Sequence, residues 1–234
     1  MSALLEVRSL GKRFGGFTAL EGIELKVAPG ERVGLIGPNG SGKSTLVNCI
    51  CGALRNESGA VVFAGEDVTR LAAHQRTRRG MARSFQVPRP FASMSVLENL
   101  LVPIEYASKG GDEEAMAILK DIGLAAKAGL PSGGLTQVEM RKLELARAMA
   151  AKPKLLISDE AMAGLAPAEV DEVLPILFRL NEAGITIIMI EHIMHAVMRF
   201  SQRVVCLDAG RIICEGTPGE VVKNADVQRA YLGA

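Results

Sequence analysis

Tryptophan is absent from this chain of 234 residues, and aromatic residues as a class supply only 4% of it. A platform that stacks successive bases needs more aromatic surface than that. An excess of one charge is missing too: 27 Lys and Arg stand against 26 Asp and Glu, a formal net charge of +1. Domains that bind nucleic acid over a broad face are strongly basic, so the balance argues against a nucleic-acid partner. Long apolar runs are also lacking. The strongest, 185–190 (ITIIMI) and 155–157 (LLI), fall far short of the ~20 residues that cross a bilayer. The opening segment MSALLEVRSLG does not have the basic-then-apolar layout of a signal peptide. Cys49, Cys51, Cys206 and Cys214 form no CxxC and read as buried free thiols. These absences lead to the expectation of a soluble, cytoplasmic chain. What is present is 48% hydrophobic and 23% charged residues, a composition that supports a sizeable core and opposes disorder.

Short β-branched runs bounded by turn residues predict strands at 5–9, 23–27, 32–36, 60–63, 155–158, 185–191, 203–207 and 211–214. Helices are predicted at 44–54 and at 167–181, the second opened by Pro167 in its first turn. Nearly continuous apolar strands alternating with helices predict an α/β domain whose mostly parallel sheet is covered on both faces. Asp208-Ala209-Gly210 reads as a hairpin turn near the far edge. Between 87 and 151 the alternation stops. Helical patterns at 95–107, 113–124 and 138–151, punctuated by Gly110-Gly111 and Gly133-Gly134, read as a helical insertion. The densest basic cluster, Arg76, Arg78, Arg79 and Arg83, reads as a solvated face.

Gly37-Pro38-Asn39-Gly40-Ser41-Gly42-Lys43-Ser44 fits GxxxxGK[ST] in full, after a predicted strand and at the start of a predicted helix. Glycines let backbone N–H groups ring a phosphate at the positive end of the helix. Lys43 supplies a point charge for the terminal phosphates, and the Ser44 hydroxyl suits a Mg²⁺ shell. Gly37, Asn39, Gly40, Ser41, Gly42, Lys43, Ser44 and the next residue, Thr45, are therefore candidate nucleotide contacts. The apolar run 155–158 ends in Asp159 and Glu160. Ligands of open parallel sheets bind beyond the carboxyl ends of strands, which makes Asp159 a candidate Mg²⁺ carboxylate. Glu160 is then a candidate base for an attacking water. His192 follows the strand 185–191 and would reach the same edge.

In this order, a phosphate loop, Gln86 after a short strand, a helical insertion, an acidic strand end and a strand-end His resemble the ATP-binding cassette (ABC) ATPases over essentially the whole chain. The resemblance implies a P-loop NTPase core formed by 1–86 and 152–234, with an antiparallel β subdomain, and a helical subdomain at 87–151. It further implies that Phe14 stacks on adenine, although a Phe read alone is more often core. Gln86 would sense Mg²⁺ and water and join the core to the insertion. Anchoring on the following helix, 141–148 (RKLELARA), puts the family's signature at 135–139 (LTQVE), with Thr136 in the Ser position and Gln137 and Val138 in place of two glycines. A second register, 131–135 (PSGGL), stays open. Ala161 stands where the family usually has Pro, and Ala166 lacks the Asp that usually closes its D-loop.

Within the family, Arg83-Ser84-Phe85-Gln86, 94–100 (MSVLENL), 162–167 (MAGLAP) and 229–233 (RAYLG) resemble ATPase subunits of branched-chain amino acid importers. The implied assembly is a homodimer, or a pair with a paralogous ATPase subunit, holding ATP and Mg²⁺. It would work with integral membrane permease subunits on the inner face of the cell membrane, and indirectly with an extracytoplasmic solute-binding protein. The alternatives are an exporter subunit and an ABC-type ATPase acting on ribosome or DNA. The second of these usually carries tandem cassettes or long coiled-coil insertions, for which 234 residues leave no room.

Overall fold

The computed structural model describes residues 3–85, 87–108 and 110–232, so the expectation for Gln86 lies outside the described residues. The elements in chain order are β1 (Leu5–Phe14), β2 (Phe17–Val27), β3 (Arg32–Ile36), α1 (Lys43–Ile50), β4 (Ser58–Phe63), β5 (Glu66–Asp67), α2 (Ala73–Thr77) and β6 (Met81–Ser84). There follow α3 (Val96–Pro103), running into a π-helical stretch (Ile104–Ser108), α4 (Asp112–Asp121) and α5 (Gln137–Met149). The chain then alternates again, through β7 (Leu155–Asp159), α6 (Pro167–Glu182), β8 (Thr186–Ile190), α7 (Met194–Phe200), β9 (Arg203–Asp208), β10 (Arg211–Gly216), α8 (Pro218–Lys223) and α9 (Ala225–Leu232).

Six strands form one sheet in the order β10-β9-β3-β8-β7-β6, parallel except for the β9–β10 hairpin at its edge. Ala209 and Gly210 both have positive φ there, as a tight hairpin turn between twisted strands requires. A second, antiparallel sheet has the order β2-β1-β4-β5. Side chains of the parallel strands alternate between two cores, as a period of two dictates. Leu155, Ile157, Ile188, Ile190, Val205 and Leu207 face α1 and the antiparallel sheet. Leu156, Ile187, Met189, Val204 and Cys206 face the helices. Leu155, Leu156 and Ile157 are all fully buried, each contributing about 1.5–3 kcal/mol. The register pairs Leu35 with Ile190, Asp159 with Ile190 and Ser84 with Ser158. The loops after β3, β6, β7 and β8 therefore emerge along one edge, and that edge is where the candidate site lies.

Two expectations are corrected. Helix α1 stops at Ile50 and not at 54, because Gly52 turns left-handed (φ 76°) and Arg76 caps the helix end. The Arg76 guanidinium donates to the carbonyl oxygens of Cys49 (2.8 Å) and Ile50 (2.6 Å). These orphan acceptors at a helix C-terminus favour a cation. The basic cluster is a solvated face only in part: Arg78 is exposed, whereas Arg76 is only 2% exposed and Arg83 is largely buried against an acid.

Candidate functional site

The loop after β3 is shaped by glycine. Gly37 has φ 151° and Gly42 φ 107°. A Cβ on Gly37 would lie 2.1 Å from the Leu207 carbonyl oxygen, and one on Gly42 2.8 Å from that of Ala19. Both the backbone and the lack of room demand glycine here. Lys43 opens α1 and is buried, with Nζ donating to the carbonyl oxygens of Gly37 (2.6 Å) and Pro38 (2.9 Å). Burial holds its pKa below the usual lysine value, against the pull of Glu160 and Asp159. Ser41 is buried, Thr45 half-buried, and Asn39, Gly40 and Ser44 are exposed at the positive end of α1.

Asp159 is the last residue of β7 and is buried. Its Oδ2 accepts from Arg83 Nη2 (2.5 Å) and Nε (3.2 Å), while Arg83 Nη1 donates to Asn48 Oδ1 (2.5 Å). Glu160 leaves the strand with φ 49°, a region that non-glycine residues occupy mainly at sites where the surroundings enforce it. Its N–H donates to the Ile190 carbonyl (2.8 Å), and its Oε1 lies 2.8 Å from His192 Nε2. The structure thus brings Asp159, Glu160, His192 and the Lys43 loop together at the sheet edge.

Ser44, Asn48, Arg83 and Asp159 line one cleft. Its hard oxygen donors, one carboxylate and one hydroxyl, fit Mg²⁺, which binds through few protein ligands and takes the rest from phosphates and water.

Phe14 is 48% exposed at the end of β1, with Lys12 Nζ 5.2 Å from its ring centroid. It is not a core residue, and its register partner across the turn, Phe17, is more exposed still at 65%. Thr136 is the N-cap of α5, exposed, its Oγ1 accepting from the Glu139 N–H (3.4 Å) while Glu139 accepts from the Thr136 N–H (3.0 Å). Ser132, the hydroxyl of the other register, is fully buried. It donates to the Phe91 carbonyl (3.0 Å) and accepts from Asn99 Nδ2 (3.2 Å).

Several contacts around the site have no local signal in the sequence. The backbone after Glu160 is held from three sides: Met162 N–H donates to Glu191 Oε1 (2.9 Å), Arg141 Nη2 donates to the Ala163 carbonyl (2.8 Å), and Gln137 Nε2 donates to the Gly164 carbonyl (3.3 Å). Gln137, a departure from the usual signature, is therefore a tie between α5 and this loop. Glu191 is 2% exposed, and burial, with Glu160 adding to it, pushes its carboxyl up to about 7 against the Met162 hydrogen bond. On the far side of the phosphate loop, the Gly37 N–H donates to the Tyr231 hydroxyl from α9 (2.8 Å). Tyr231 stood out in the sequence only as part of a terminal pattern.

A phosphate loop between β3 and α1, an acid–histidine pair on neighbouring strand ends and a helical insertion define a P-loop ATPase of the ATP-binding cassette class. The chain belongs to the ABC transporter family, whose profile matches residues 20–163; a second profile, that of the branched-chain amino acid ATP-binding cassette transporter, matches residues 211–234. It is 36% identical to the high-affinity branched-chain amino acid transport ATP-binding protein BraF of Pseudomonas aeruginosa and equally to LivG of Escherichia coli K12, each over 98% of both chains. Among solved structures it is similar to an ATP-binding cassette of an ABC transporter in its ADP conformation. That match has a TM-score of 0.92, 32% identity, and covers all of both chains. The chain is thus a nucleotide-binding, ATP-hydrolysing subunit.

Proposed function

We propose that this subunit powers an importer of branched-chain amino acids, or of a related small solute, through separate membrane permease subunits. The observation that carries the ATPase chemistry is the Glu160–His192 pair, 2.8 Å apart on the edge that also bears Lys43. In this reading Lys43, Ser41, Ser44 and Thr45, with the backbone of Gly37, Asn39, Gly40 and Gly42, grip the phosphates, and Phe14 stacks on the base. Ser44 and Asp159 would hold Mg²⁺, which supplies charge neutralisation at the phosphates. Glu160 takes the proton of the attacking water, and His192 aligns Glu160 and the terminal phosphate. Gln86 keeps the sensing role that the family resemblance gives it. Thr136 offers its hydroxyl, at the N-terminus of α5, to nucleotide held by a second copy or a paralogue. The helical subdomain would span 87–151.

The importer reading is supported by the names of the relatives and by the match at 211–234. No helix among the described residues is long and apolar enough to cross a membrane, and this reading places the passage in partner subunits. The cleft that bears exposed Phe85 and Val87 beside Arg89 suits a helix of such a permease, which would hold the subunit at the inner membrane face. A solute-binding protein would deliver the solute from the other side. The test is reconstitution of the complex isolated through this subunit into liposomes. ATP-dependent uptake of labelled leucine, isoleucine or valine is expected. Co-isolation of ribosomal RNA without membrane proteins would overturn the reading.

A further inference from the structure

We infer that Arg83 is a built-in counter-ion that occupies Asp159 until a divalent cation arrives, and that its release carries the loading of the site to the groove at Phe85. The inference rests on the reading of Asp159 as the Mg²⁺ carboxylate. Arg83 and Asp159 side chains are 14% and 9% exposed. A lone carboxylate at that depth would carry a large desolvation cost, and a cation beside it offsets that cost before nucleotide is bound. The guanidinium supplies that cation, and both Nε and Nη2 converge on one oxygen, Oδ2. A divalent cation drawing on the same carboxylate would repel the guanidinium and compete for its lone pairs.

The surroundings give Arg83 somewhere to go. Its guanidinium carbon lies 5.2 Å from the Phe85 ring centroid, and Arg83 and Phe85 line not only the cleft of Ser44 and Asp159 but also a second one beside it. Glu144 and Arg147 line both clefts, and the second adds Cys51 and Pro103. Glu144 is a buried acid whose partner there is Arg147, at 3.0 Å. Displaced from Asp159, Arg83 keeps its contact with the Phe85 ring and is attracted to Glu144, on the helical side of the same wall. Two alternative acids for one guanidinium make a two-state element that cation binding biases. Phe85 is half exposed in the proposed permease groove, so the swing changes the surface that a partner helix would feel.

The test is a Mn²⁺ titration of the full chain with ADP, read by electron paramagnetic resonance. Arg83→Gln removes the competitor and should tighten Mn²⁺ by about five-fold or more, whereas Arg83→Lys, which keeps a cation, should stay nearer the unaltered chain. Unchanged or weaker Mn²⁺ binding by a folded Arg83→Gln overturns the proposal. Asp159→Asn separates the two readings: if it leaves Mn²⁺ affinity intact, the assignment of Asp159 has failed, and not merely that of Arg83. Should Arg83→Gln not fold, the Arg83 Nε–H NMR signal of the unaltered chain decides. It should shift on adding Mg²⁺ with ADP but not on ADP alone, and a signal indifferent to the metal overturns the proposal.

Discussion

The phosphate loop and the loop after Glu160 face each other across one sheet edge and are built on opposite plans. The first is held by its own backbone: glycines at 37 and 42 where no Cβ fits, and Lys43 folded onto the carbonyls of Gly37 and Pro38. The second is held by side chains from elsewhere, Glu191 from the end of β8 and Arg141 and Gln137 from α5. A self-contained loop stays the same whichever way its neighbours move. A loop stitched to two bodies is sensitive to how those bodies sit, which suits a segment between the water-activating residue and the signature helix. The Ala161 and Ala166 departures belong to this second loop, whose backbone those side chains hold at Met162, Ala163 and Gly164.

The largest expected effect lies where the two plans meet. Glu160→Gln keeps the shape of the side chain and removes its ability to take a proton, so ATP turnover should fall by about 10²–10⁴-fold. Nucleotide affinity, measured by calorimetry, should be nearly unchanged. A variant that hydrolyses ATP at the normal rate would remove Glu160 from the base role.

Next in size is a pH effect confined to the stitched loop. The Glu191 carboxyl ordinarily titrates near 4.5 and is pushed up to about 7 in the fold, chiefly by burial. His192, Glu160 and Arg141 surround it. Between these two values the folded chain holds a proton that the unfolded chain has lost, so the contribution is full below about pH 4.5 and is lost as pH rises to about 7. Glu191→Gln still accepts from the Met162 N–H and does not titrate. Its stability relative to the unaltered chain, followed by urea unfolding, should therefore rise by about 3 kcal/mol between pH 4.5 and 8. Parallel pH profiles for the two proteins would show that Glu191 carries no such load.

The same contrast explains what was legible in the sequence. The phosphate loop is eight contiguous residues whose spacing is dictated by a backbone ring around an anion, and Asp159-Glu160 follow directly from a strand of uniform apolarity. Helix α6 begins at Pro167 for a reason visible in one residue. What could not be read are meetings of side chains distant in the chain. Arg83 and Asp159 lie 76 residues apart, and Tyr231 and Gly37 lie 194 apart. A run of arginines looks like a solvated face until orphan helix carbonyls and a buried carboxylate claim two of them. The choice between Ser132 and Thr136 as the exposed hydroxyl was open for the same reason: only the Asn99 and Phe91 partners turn Ser132 inward.

The self-contained plan has two outside ties, the Gly210 N–H, which donates to the Ser41 carbonyl (2.9 Å), and Tyr231, and Tyr231 gives the smallest and sharpest test. Gly37 is the first glycine of the loop, and its N–H donates to a phenol that reaches over from α9, 2.8 Å away. The ring is partly exposed, and burial raises its hydroxyl pKa while the Gly37 contact lowers it, so it is neutral and an acceptor at physiological pH. Tyr231→Phe deletes that acceptor and leaves the ring. A neutral hydrogen bond of this kind contributes about 1 kcal/mol, which corresponds to roughly a five-fold loss of nucleotide affinity if the bond sets the orientation of Gly37. Turnover at saturating ATP should stay level, because the Glu160–His192 pair is untouched. If affinity is unchanged and only thermal stability drops, Tyr231 merely anchors α9, and the phosphate loop does not depend on it.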